Sequence, residues 1–194
     1  DTTTSNNTAL GYQALTALTS GAQNTAVGHA SMRGTTTASN NTAFGYATLI
    51  DNTTGQLNTA IGMNALYSCT TASDNTAVGY TALHLSTTGA RNTAVGRAAG
   101  YNITTASENV MMGENCGSGA TTASQNVLLG DNAATGLTTG NNNIIIGDNS
   151  NPLGGANTQS IVIGTNGSTG KGSTTGFINP NGGGVYQGNN SSSW

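Results

Sequence analysis

Polar and apolar residues take turns along this chain in one short phrase: asparagine, threonine, alanine, an aliphatic or aromatic residue, glycine. Six copies read NTALG (7–11), NTAVG (24–28), NTAFG (41–45), NTAIG (58–62), NTAVG (75–79) and NTAVG (92–96). Four more, NVMMG (109–113), NVLLG (126–130), NIIIG (143–147) and SIVIG (160–164), carry larger aliphatics in place of Thr-Ala. The phrase glycines, Gly11, Gly28, Gly45, Gly62, Gly79, Gly96, Gly113, Gly130, Gly147 and Gly164, are each 17 residues apart. A period without insertions puts every unit in the equivalent place of a regular stack. The phrase predicts a short strand ended by a turn glycine. Successive strand side chains point to opposite faces, so Asn24, Ala26 and Gly28 share one face and Thr25 and Val27 the other. The expected fold is an all-β, elongated parallel β-solenoid, or β-roll, of about ten 17-residue coils.

Three regions follow from the pattern. Residues 1–108 form a shaft of six Thr-Ala coils, and 109–164 four aliphatic coils. A strand such as Ile144-Ile145-Ile146 is apolar on both faces and must be buried on both, one inside its own coil and one against a further copy of the chain. A homo-oligomer is therefore expected, with a change of cross-section between about Asn109 and Asn126. From about Thr165 the period stops, and the Gly- and Ser-rich segment 165–194, with its sparse large groups, reads as a cap or tip. The residues after each glycine carry a small side chain three positions on, as at Ala65 and Cys116, followed by a large one, as at Leu66. They fit a second short strand or a brief helical turn. Thr-Thr pairs such as Thr53-Thr54 and Thr70-Thr71 mark the return to the next coil. The residue after them alternates between Gly and Ala, so the true repeat is nearer 34 residues.

Composition narrows the class. Only 6% of the chain is charged, and 29 of its 194 residues are glycine. Such a chain is either disordered or held by backbone hydrogen bonds in a repetitive fold, and the strict period favours the fold. Arg33, Arg91, Arg97 and Lys171 are scattered and give no basic stripe, so no nucleic-acid partner is expected. No apolar run approaches the roughly 20 residues of a membrane span, so membrane insertion is not expected either. The chain begins in mid-pattern at Asp1 and reads as part of a longer protein. Cys69 and Cys116 lie three units apart, roughly 14 Å at one rung of about 4.8 Å per unit, and read as free thiols packed as small hydrophobes.

The repeated NTAVGYxAL phrase with TTG and TTAS corners resembles the shaft and tip repeats of bacteriophage long tail fibres. A shorter relative occurs in the heads of bacterial trimeric autotransporter adhesins. The ending Tyr186-Gln187-Gly188-Asn189-Asn190-Ser191-Ser192-Ser193-Trp194 is similar to the sequence before the self-cleaving intramolecular chaperone of many phage fibres and endosialidases. The resemblance implies a homotrimeric, extracellular tail-fibre tip of the virion, assembled by a transient C-terminal chaperone that cuts itself off after Trp194. It implies attachment to a bacterial surface glycan or outer-membrane protein, with no enzyme activity and no cofactor. An adhesin head is the alternative owner of the same fold.

Several residues are candidates for chemistry. Phe177, Ile178, Asn179, Tyr186 and Trp194 are receptor-contact candidates at the tip. Tyr67, His84 and Tyr101 recur at one coil position on consecutive units, an aromatic row that packs or stacks on sugars. Glu114, Asp131 and Asp148 directly follow three successive glycines. At about 5 Å spacing they form a solvated acidic ladder, a weak cation site, or the paired acids of a glycan depolymerase. His29 and His84 have no metal-binding spacing. The Thr-Thr rows admit an ice-binding reading, and the Asn at the head of each phrase predicts a hydrogen-bonded ladder.

Overall fold

The computed structural model describes residues 6–164, 167–170, 172–173, 176–179 and 185–187. The chain is an all-β parallel solenoid of about nine turns of 17 residues, with no helix among the described residues. One short strand per coil builds a single sheet: β1 (Thr8–Leu10), β2 (Thr25–Val27), β3 (Thr42–Phe44), β4 (Thr59–Ile61), β5 (Thr76–Val78), β6 (Thr93–Val95), β7 (Val110–Met112), β8 (Val127–Leu129), β9 (Ile144–Ile146) and β10 (Ile161–Gly164). Neighbours pair in parallel with equivalent residues in register, Ala26 beside Ala43 and Ala94 beside Met111. The sheet therefore runs unbroken across residue 109. Beyond β10, β11 (Gly176–Asn179) adds one more parallel strand and β12 (Val185–Gln187) turns back antiparallel on it.

Each strand from β2 to β10 buries its middle residue and turns its flanks outward, as a period of two demands. Ala26, Ala60 and Ala94 are buried, and so are Met111, Leu128, Ile145 and Val162. The buried asparagines form the expected ladder. Asn41 donates its backbone N–H to Asn24 Oδ1 at 3.0 Å and its Nδ2 to the Gly55 carbonyl across the coil at 2.9 Å. The pattern recurs from Asn24 to Asn143 and ends where Ser160 N–H donates to Asn143 Oδ1. At the Thr-Thr corners the first hydroxyl donates to the next coil's carbonyl, as Thr53 Oγ1 does to Thr70 O at 3.0 Å. The phrase glycines stack directly: at Gly79 φ is +139°, and a Cβ would overlap the Gly96 carbonyl. A side chain there would be both strained and blocked.

The segment after each glycine is neither a strand nor a helical turn. Its second and fourth residues are left-handed, with φ of 55° at Ala30, 52° at Met32, 58° at Asn64 and 50° at Leu66. This alternation aims successive amides at opposite neighbours: Ala30 N–H donates to Tyr12 O at 2.8 Å and Met32 N–H to Thr48 O at 2.8 Å. Inter-coil hydrogen bonding thus overrides the usual cost of a left-handed L-residue, about 1–2 kcal/mol.

Core volume changes sides along the stack. In the early coils the left-handed turn supplies the bulk, through buried Met32, Leu49, Leu66 and Leu83, against strand alanines. Further on the turn residue is Gly100 or Gly117, and Met111 and Leu128 reach into the place it leaves. A Cβ on Gly100 would come within 2.9 Å of both Leu83 Cδ2 and Met111 Cε. Cys69 and Cys116 are buried and free, and burial pushes both thiols up to about 12.

Candidate functional site: an outward sheet face and an aromatic groove

The strand flanks make a long, narrow face. One file runs Thr25, Thr42, Thr59, Thr76 and Thr93, then Val110, Val127, Ile144 and Ile161. The other is apolar from Leu10 through Val27, Phe44, Ile61, Val78, Val95, Met112, Leu129 and Ile146 to Ile163. Phe44 is 56% exposed and Ile161 41%.

A second feature lies where the chain curls after the glycine. Residues directly after it stack as Tyr12, His29 and Tyr46, with ring centroids 5.3 and 5.1 Å apart. Four positions further round, Tyr67, His84 and Tyr101 stack at 5.0 Å and 5.0 Å. The residues between the two files, Ala30, Ala47 and Asn64, are short and leave a depression. The result is a groove of about 500 Å³, with His29 and Tyr46 on one side and Arg33, Ile50, Tyr67 and His84 on the other. Tyr67 packs against the buried Ala30, Ala47 and Ile50, which anchors that wall.

The groove's polar groups are distinct from those of the ladders. His84 Nδ1 donates to the Asn64 carbonyl at 3.2 Å, which assigns the proton to Nδ1 and leaves Nε2 to accept in the neutral ring. Asn64 Oδ1 is buried without a hydrogen-bond partner. Such an orphan costs about 1–3 kcal/mol unless something donates to it. Arg33 makes no ion pair among the described residues, whereas Arg91 pairs with Glu108 and Arg97 with Glu114. No carboxylate lines the groove.

The other candidates are distributed as follows. Glu114, Asp131 and Asp148 follow successive glycines on consecutive coils. Glu114 accepts from Arg97, and Asp148 Oδ1 accepts from Asn149 Nδ2 at 2.9 Å. No group of three His, Cys, Asp or Glu is arranged to hold a metal ion among the described residues. The first corner threonines use their hydroxyls between coils, and the second file, such as Thr54 and Thr71, is exposed. Phe177, Ile178 and Asn179 lie on β11 and Tyr186 on β12, with Phe177 and Tyr186 in register. Trp194 lies outside the described residues. Sequence reasoning missed the Tyr12, His29 and Tyr46 stack and the groove, although the recurrence of these residues directly after the phrase glycine was the signal for it. No protein-family model, curated protein or solved structure matches the chain.

Proposed function

We propose that the chain is a non-catalytic attachment rod, in which three copies pack through their outward strand faces and hold a molecule on a bacterial surface. The setting proposed is the extracellular tip of a phage tail fibre, as the repeat phrase suggests. The observation that carries the reading is the outward face itself: ten coils present one uninterrupted apolar file and, in the last four, a second one. A lone chain gains nothing from that pattern. A packed trimer buries it, and three equal sites on one rod multiply weak contacts into firm attachment.

Sedimentation equilibrium tests the assembly: a mass three times the 19.2 kDa of one chain is expected. Ile144→Asp with Ile161→Asp should return the protein to monomer while its β circular dichroism persists. Retention of fluorescent protein on bacterial cells tests attachment, and loss of retention in the monomeric variant is the expected result. A wild-type monomer that still adheres would overturn the trimer, and a trimer that adheres to no bacterial surface would overturn the role.

A further inference from the structure

The geometry points to the groove between the two Tyr-His-Tyr stacks as a binding site for an acidic glycan, a sugar chain bearing a carboxylate. Three features of the groove converge on that chemistry. Tyr46 and Tyr67 offer aromatic walls on opposite sides, and sugar rings stack their apolar C–H faces on such surfaces. His84 Nε2 offers an acceptor to a sugar hydroxyl, because Nδ1 is committed to the Asn64 carbonyl. Arg33 lines the same groove without an ion-pair partner, and a guanidinium recognises a carboxylate through two parallel N–H donors.

Alternative ligands fit less well. A purely apolar ligand leaves Arg33 unused. A cationic ligand meets an arginine and finds no carboxylate in the lining. A neutral sugar satisfies the aromatic walls but leaves the guanidinium idle, so Arg33 is the residue that sets selectivity. The stacks also account for a cost the fold does not require. Solvent-facing Tyr12 and Tyr46 are 70% and 52% exposed, and the coil stands without them where Arg97 or Asp131 occupies the same position.

The proposal rests on the attachment reading for its setting, but it has a separate readout. The purified chain is applied to an array of uronic- and sialic-acid oligosaccharides printed beside their carboxyl-reduced counterparts. Binding at least tenfold stronger to acidic members is expected. Arg33→Gln should bring the acidic members down to the level of the reduced ones. Tyr46→Ala with Tyr67→Ala should remove both. Thr54→Ala, on the exposed corner file, should change nothing, and melting curves check that every variant is folded. Equal binding to acidic and reduced sugars, or binding to neither, overturns the proposal. If cells retain the Tyr46/Tyr67 double variant as well as wild type, the groove is not the contact and attachment stands. Binding on the array without cell retention leaves the groove standing and removes attachment.

Discussion

The coils around Gly45 and those around Gly113 enclose similar cores by opposite means. In the first, Leu49 and Leu66 project from left-handed turns, and Ala43 and Ala60 are the strand's small inward residues. In the second, Gly117 takes the turn, and Met111 and Leu128 point inward from the strand. The later arrangement agrees with local preference at both places, since glycine adopts φ of 62° freely and large aliphatics suit strands. The earlier one sets leucine at φ near 50° and depends on burial to hold it there. A close-packed interior fixes total volume per coil and leaves open which position supplies it. The outward face changes close to the same point, from Thr93 to Val110, one coil after the first glycine turn at Gly100.

The largest expected effect probes what both regions share. Asn75→Ala and Asn126→Ala each strand several buried groups, including the next asparagine's amide and a carbonyl across the coil. At about 1–3 kcal/mol per unsatisfied group, each should lose roughly 3–6 kcal/mol in urea unfolding. Equal losses are expected, and a difference beyond about 1 kcal/mol would mean the ladder does not serve the two regions alike. The next effect is smaller and tests the exchange of volume. Leu66→Gly should cost about 2–4 kcal/mol. Adding Ala77→Met, which copies the spacing of Gly100 and Met111, should recover about 1–2 kcal/mol as a measured coupling. No recovery would show that the early turns cannot adopt the later packing.

A pH-dependent effect compares the two thiols. Both are held protonated in the folded chain, up to about 12 against an ordinary value of 9.0, so the unfolded chain releases their protons first as pH rises. Their contribution is intact below pH about 9 and is lost between about 9 and about 12, at about 1.4 kcal/mol per pH unit for each thiol. Cys69→Ala and Cys116→Ala should each flatten the alkaline fall in stability by that amount. An unchanged slope in either variant would show that its thiol is not sealed in the early or the late coil.

Much of the fold is legible in the residues. The strand, the inward Ala26, the outward Thr25 and Val27, the asparagine ladder and the free thiols all follow from a period of two nested in a period of 17. The left-handed turns do not, because their signal is diluted. Asn64, Gly100 and Asn115 carry the expected residue types, but Ala30, Met32, Leu49 and Thr81 occupy the same conformations. There the chain follows hydrogen bonds to its neighbouring coils rather than its own preference. The aromatic row Tyr67, His84 and Tyr101 was visible as a file, while its relation to Tyr46 and Arg33 depends on how tightly that turn curls.

The asparagine ladder separates length from shape. Every link joins residues 17 apart and is made by the same atoms, so a coil has no address of its own within the rod. Whole coils can be gained or lost without altering a neighbour's ladder partners, and Ala106 and Ala123 on consecutive coils show that even the Gly and Ala corners need not alternate. An insertion of any other size throws every later asparagine out of step. The reach of such a rod can therefore change in discrete increments, while the groove on its flank keeps its form.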